Sequence, residues 1–244
     1  LILATGSSPE GYRLAESLGH TIQPPVPSLF TFNVPTSRLS SLSGIAVQNA
    51  SVSLPEVSMK QKGPLLITHF GFSGPGVLKL SAWAARELHA LGYKTTIEIN
   101  WVPDITLDEL KNNFKKLKSQ HPAKTVGQLF LFDLPKNLWK TLTTPFTDKV
   151  LAHLSNSDIE KLSQTLHADP YQMDGKTTHK EEFVTCGGVT LKEVDFKTMQ
   201  SKILPGLFFA GEILNIDGVT GGFNFQNAWT TGYIAGYSAG SRTI

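Results

Sequence analysis

The stretch GLFFAGEILNIDGVTGGFNFQNAWTTGYIAG, residues 206–236, decides how the rest of the chain is read. Its apolar opening, LFFA, has strand character and stops at Gly211 and Glu212; after the pair Gly221 and Gly222 the chain enters a helical run. A strand end, a glycine, an acidic residue and a glycine-led helix together build a polar pocket at the carboxyl end of a sheet. Gly221 and Gly222 let a ligand approach the backbone closely, and N–H groups at the helix start face any phosphate or carbonyl oxygen placed there. Glu212 can accept hydrogen bonds from ribose or ribityl hydroxyls, and Asn224 offers a donor and an acceptor to a heterocycle. The competing reading is a tight loop whose glycines serve packing alone.

Working outward, LILATG (1–6) reads as a buried strand ending in Gly6, and EGYRLAESLG (10–19) as a short helix with Tyr12, Leu14, Ala15 and Leu18 on its apolar side and a glycine cap at Gly19. Pro24, Pro25 and Pro27 then mark a rigid exit. Residues 25–104 carry short strands (SLFTFNV, GIAVQNASVSL, GPLLITHF, KTTIEINW) around one helix starting near Pro75 and ending before Gly92, as in a small barrel or sandwich. Residues 105–168 are helical, with capping boxes expected at Thr106–Glu109 and Ser157–Glu160. A return strand is expected in 169–181, and 182–244 goes back to strand, glycine turn and helix. The two ends resemble each other and not the middle, so the pattern predicts one α/β domain, 1–24 with 182–244, split by an insertion.

Composition agrees with a folded enzyme-sized chain. With 40% hydrophobic and 17% charged residues among 244, disorder is excluded as the dominant state. A net charge of +2 permits an anionic partner without demanding one. Cys186 is the only cysteine, which rules out a disulfide framework and fits a reducing, cytoplasmic setting. The uncharged run 218–241 contains Asn224, Gln226 and Asn227, which argues against a membrane span. The chain opens without methionine in an apolar strand, so its first residue reads as a cut.

Three further features could carry chemistry. His69, in THFGFSGP, sits between a strand and a glycine turn, where it either faces a substrate as a proton donor or is satisfied within the turn. The other histidines (20, 89, 121, 153, 167 and 179) have no metal-site spacing. Cys186 precedes Gly187 and reads as a redox thiol or, better, a small buried residue. Lys111, Lys115, Lys116 and Lys118 fall in one helix, either a solvated face or a patch that contacts RNA phosphates.

LILATG, THFGFSGPGVLKLS and the block 184–236 together resemble the BaiN/RdsA-type oxidoreductases, a family also described as NAD(P)/FAD-dependent or aminoacetone-oxidase-like. The resemblance implies an α/β FAD-binding domain, Rossmann-like and of the two-dinucleotide-binding type, split by a β-barrel-like domain that carries a small helical subdomain. By it, Thr5 and Gly6 would lie against FAD, and Gly187, Gly188 and Val189 would form a turn near the flavin. Gly211 and Glu212 would meet the ribityl chain and phosphates, while Gly221, Gly222, Phe223 and Asn224 would face the isoalloxazine. NAD(P)H is the implied reductant, although no residue marks its site. Hydride transfer to an activated C=C bond is the implied chemistry, with uridine in ribosomal RNA as leading substrate class. The alternatives are an oxidase of a small amine or ketone and a non-catalytic flavin- or RNA-binding factor. Two departures stand out. The chain lacks the family's opening G-x-G-x-x-G loop and acidic residue, and its run between Gly6 and Gly11 is shorter than the family's. It therefore reads as the C-terminal part of a flavoprotein.

Overall fold

The computed structural model describes residues 1–177 and 184–241; expectations that fall on 178–183, His179 among them, and on 242–244 lie outside the described residues. The chain divides into two compact units, the first built from Leu1–Phe30, Ser81–His89 and Thr178–Ile244. It opens in β1 (Ile2–Leu3), in which Leu3 is buried and Ile2 exposed. Gly6, in the left-handed region, turns the chain directly into α1 (Pro9–Ser17), so the short run before Gly11 is a closed turn. Ser8 Oγ accepts the Glu10 N–H at 3.2 Å as the N-cap. Tyr12 and Ala15 face inward, but Leu14, expected beside them, points to the other side and is 42% exposed. Gly19, with φ 93°, ends the helix one residue past its C-cap Leu18. The proline-bearing segment is β2 (Ile22–Ser28).

The second unit, Thr31–Leu80 with Ala90–Thr177, contains a barrel. Its strands are β3 (Phe32–Asn33), β4 (Ala46–Leu54), β5 (Met59–Ile67) and β6 (Gly71–Ser73). The helix expected near Pro75 is two pieces, α2 (Pro75–Trp83) and α3 (Ala85–Ala90), interrupted at Ala84. The stretch from Ser81 to His89 belongs to the first unit. There follow β7 (Lys94–Asn100), the helices α4 (Leu107–Gln120), α5 (Lys136–Leu142) and α6 (Asn156–His167), and β8 (Asp169–Asp174). Strand order is β3-β6-β5-β4-β7-β8. The ends join: Phe32 bridges Lys176, and the Asn33 N–H donates to the Gly175 carbonyl at 3.1 Å. The sheet is thus a nearly closed barrel, not a sandwich. Gly71 makes the β3–β6 approach possible, because a Cβ there would lie 2.2 Å from the Phe32 carbonyl oxygen. Asp169 is buried and accepts from Arg38 (2.8 Å to each oxygen), Trp101 Nε1 (3.0 Å) and Tyr171 Oη (2.6 Å). A buried carboxylate needs that number of donors to offset its lost hydration.

The helical insertion follows its caps. Thr106 and Glu109 form the expected reciprocal box at the start of α4. The start of α6 differs: Ser155 is the N-cap and Asp158 its partner, so Ser157 lies inside the first turn. Aspartate at the third helical position serves there as glutamate would.

Returning to the first unit, the chain forms β9 (Val184–Val189), β10 (Val194–Asp195), β11 (Gln200–Ser201), β12 (Phe208–Phe209) and α7 (Phe223–Gly240). One sheet has the order β1-β12-β11-β10, with β1 and β12 parallel; β2 and β9 form an antiparallel pair. Leu3, Tyr12, Ala15, Val189, Phe208, Phe209, Leu214 and Ala235 share its core. Beside the Phe209 ring, buried His20 links Glu193 (Nδ1 to Oε2, 3.0 Å) to Ser201 (Nε2 to Oγ, 2.9 Å). Ser201 Oγ accepts two backbone N–H groups, so its own hydrogen goes to His20 and the three side chains act as a pin between segments. Among the described residues the α/β character of this unit rests on the parallel pair β1–β12 with α1 and α7. The larger parallel sheet implied by the resemblance is not seen among them.

Candidate functional site

At the carboxyl end of β12 the chain turns through Gly211 into a short 3₁₀ turn carrying Glu212. Beyond it, the segment to Gly222 borders a cleft of about 580 Å³ within the first unit. The cleft brings together Glu212, Gly221, Gly222 and Asn224 of the expected residues, and adds Leu29, Val184, Ile216, Phe225, Asn227 and Ala228. Asn224, Asn227 and Ala228 share one face of α7 at helical spacing, a signal present in the sequence. Leu29, with φ 57°, and Val184 come from distant segments that no local pattern connects to it.

The floor is the start of α7. Gly222 is its N-cap in the left-handed region, and no side chain caps the N–H groups behind it. A Cβ on Gly222 would meet nothing within 4 Å, so this glycine serves backbone conformation and leaves open space. Glu212 is oriented by the Thr185 N–H, which donates to Oε1 at 3.0 Å. Near it lies Tyr12, whose buried hydroxyl has no hydrogen-bond partner among the described residues. Burial, and then the charge of Glu212, push the Tyr12 hydroxyl up to about 12.

Several expected contacts are made differently. The Asn224 side chain lines the cleft and also closes on Gly218, accepting its N–H at 2.7 Å and donating to its carbonyl at 2.9 Å, and so clamps the loop. Gly211 donates its N–H to Thr231 Oγ1 at 2.8 Å, which takes it away from a phosphate. Gly187, Gly188 and Val189 are strand residues of β9 and do not line the cleft. A Cβ at Gly187 would fall 2.6 Å from Pro25 Cα, and one at Gly188 would fall 2.4 Å from the Ile213 carbonyl oxygen, so backbone crowding explains both glycines; Val189 is wholly buried. Thr5 packs against Gly11, where a Cβ would reach its Oγ1 at 1.9 Å, and neither Thr5 nor Gly6 lines the cleft. Phe223 lines a neighbouring cavity.

That cavity, also about 580 Å³, holds Cys186 and Asp217. Asp217 Oδ2 accepts from Ser28 Oγ at 2.9 Å and its carboxylate accepts from the Cys186 thiol; burial raises the pKa of both groups, and for the thiol the Asp217 charge adds to it. Cys186 is therefore a thiol tied to a carboxylate, not an activated thiolate.

In the second unit His69 is exposed in the turn after β5. The lysine row is partly consumed: Lys111 pairs with Glu160 at 2.8 Å, and Lys118 Nζ donates to the Leu154 carbonyl at 2.5 Å. Lys115 and Lys116 remain as exposed cations on α4, a smaller patch than the sequence suggested.

The family model described as "HI0933-like protein barrel and H2TH domain" matches residues 26–184. The chain is similar to the ribosomal RNA dihydrouridine synthase of Haemophilus influenzae, 33% identical over 236 residues that cover 96% of this chain and 56% of the relative. It is similar to the protein of the same name from Escherichia coli, 32% identical over 93% of this chain and 55% of the relative. A 3-dehydro-bile acid delta(4,6)-reductase of Clostridium scindens is 28% identical over 97% of this chain and 59% of the relative. The chain thus spans a little over half the length of these curated relatives. By the matched barrel domain and by its identity to these enzymes, the chain belongs to the HI0933-like family, the BaiN/RdsA-type group that its sequence resembles.

Proposed function

We propose that this chain is the larger part of an FAD-dependent oxidoreductase that uses NAD(P)H to reduce an activated C=C bond, with uridine in ribosomal RNA as leading substrate. The observation that carries this reading is the cleft in which the uncapped start of α7, the open Gly222 and the oriented carboxylate of Glu212 meet. Its volume of about 580 Å³ is that of a small-molecule or cofactor site. The residues present fit a flavin: a carboxylate accepts from ribityl hydroxyls, and helix N-terminal N–H groups suit a carbonyl edge or a phosphate. No residue of the chain is assigned to the adenosine end.

When bound, flavin supplies the hydride-carrying centre for a two-electron reduction. Glu212, held by Thr185, fixes the ribityl side. The 217–222 loop, clamped by Asn224, holds the backbone donors in one geometry, and Phe225 with Ile216 lines the apolar side of the cleft. The overall balance is NAD(P)H plus a proton plus C=C, giving NAD(P)⁺ and the saturated CH–CH product. Two relatives named for dihydrouridine in ribosomal RNA, and a third named as a delta(4,6)-reductase, support saturation of a double bond as the shared chemistry.

The test is the absorbance spectrum of the full-length protein, followed by anaerobic reduction with NADH or NADPH and then addition of RNA or of oxygen. Flavin peaks that bleach with NAD(P)H and return on addition of RNA are expected. A colourless protein would sink the cofactor assignment, and return of the peaks only with oxygen would replace the reductase by an oxidase.

A further inference from the structure

The cavity beside the cleft has walls that the flavin reading leaves unused. Trp83 at the end of α2 and Phe223 at the start of α7 both line it, and both are mostly exposed, at 63% and 58%. Arg86 and Glu87 of α3 line it too, together with the thiol of Cys186 and the carboxylate of Asp217. Two large aromatic side chains left open at a cavity lose the burial that would ordinarily hold them, so their surface is available to a planar ring. An exposed guanidinium nearby suits a phosphate. The polar groups narrow the choice further. A wholly apolar ring system such as a steroid nucleus would desolvate Glu87 and the donors of Arg86 not given to the Pro24 carbonyl (3.3 Å) without pairing them, whereas a heterocycle with donors and acceptors on its edge pairs what it covers. Val219 lines this cavity and the cleft alike, so whatever occupies one lies next to the other.

We propose that the cavity lined by Trp83 and Phe223 is a stacking subsite for an unpaired base of an RNA strand, with Arg86 meeting the adjoining phosphate. The assignment rests on the proposed RNA substrate and adds where a nucleotide is held. Stacking on an aromatic side chain tolerates any base, so the subsite grips the strand beside the reacting uridine without reading its sequence.

The full-length protein and its variants Trp83→Ala, Trp83→Phe and Arg86→Gln would be titrated with a fluorescent single-stranded oligouridine. A strand of the same length with abasic sugars serves as control, and both are measured at several salt concentrations. Trp83→Ala should weaken oligouridine binding about ten-fold and leave the abasic strand unchanged. Trp83→Phe should retain most of the affinity, and Arg86→Gln should lower the slope of log affinity against log salt by about one. Unchanged oligouridine affinity in Trp83→Ala, or an equal loss on the abasic strand, would overturn the subsite. So would an acrylamide-quenching profile that Trp83→Phe leaves unaltered, because Trp83 would then already be covered by protein. Flavin absorbance read on the same samples separates the two ideas. Flavin missing with Trp83-dependent binding intact defeats the cofactor assignment alone, and flavin present with no Trp83 dependence defeats the subsite alone. Failure of the unaltered protein to bind RNA defeats the RNA substrate and the subsite together.

Discussion

Replacing Gly188 by alanine would place a Cβ 2.4 Å from the Ile213 carbonyl oxygen, in a backbone at φ 121°. The Ile213 carbonyl is held by its 3₁₀ turn and Gly188 by its pairing with Gln23, so Gly188→Ala should cost about 3 kcal/mol or more in urea denaturation. Gly222→Ala has φ strain alone, in open space, and should cost about 1 kcal/mol while reducing flavin retention. The contrast explains what could not be read in advance. Both are second members of a glycine pair, and sequence cannot tell a glycine that admits a ligand from one that admits another stretch of backbone. Asn224 shows the same limit from the polar side. It was legible as a residue with a donor and an acceptor at the helix start, but not as one that closes on Gly218 with both. Asn224→Ala should destabilise the fold by about 1–2 kcal/mol and release flavin, seen as lost visible absorbance after gel filtration. A variant that keeps its flavin would show that the clamp is not needed for the cleft.

At the scale of elements, local signals were the reliable ones. The Thr106–Glu109 box was readable because both partners lie within one turn. The start of α6 was displaced by two residues because Ser155 and Ser157 are chemically alike, and only the structure shows which one the chain reaches in extended conformation. Asp158, in that box, also takes a hydrogen bond from Lys149 at 2.6 Å. The Lys149 bond first, then the Ser155 donors, hold its carboxyl down to about 2. A folded-state pKa below the unfolded one means a contribution fully present above the ordinary carboxyl range near pH ~4 and lost as pH falls from there towards 2. Asp158→Asn should therefore lower the denaturation midpoint at neutral pH, with the gap from the unaltered protein closing over that window. A gap that persists at pH 2 would assign the effect to packing. Barrel closure was beyond local reading, since Phe32 and Lys176 meet only after the whole insertion has folded back.

The chain divides into two compact units, and the cleft lies in the first. A ligand that binds the folded form alone raises the stability of the part that binds it. Calorimetry of the chain should show FAD moving one heat-absorption peak upward and leaving the barrel's peak in place; a uniform shift of a single peak would mean the units unfold as one. The Ser28–Asp217–Cys186 cluster was not legible in the sequence, because its members are contributed by β2, a loop and β9. The discontinuity of the first unit has a consequence for how the protein is made. On a ribosome the barrel's strands emerge together and can pair while synthesis continues, but β12, the one strand that β1 pairs with among the described residues, emerges only after the whole barrel. Until then Leu3, Tyr12 and Ala15 lack the 189–235 part of the core they share. This unit is where chaperone dependence should appear, because the β1–β12 pair can form only after the barrel has been made.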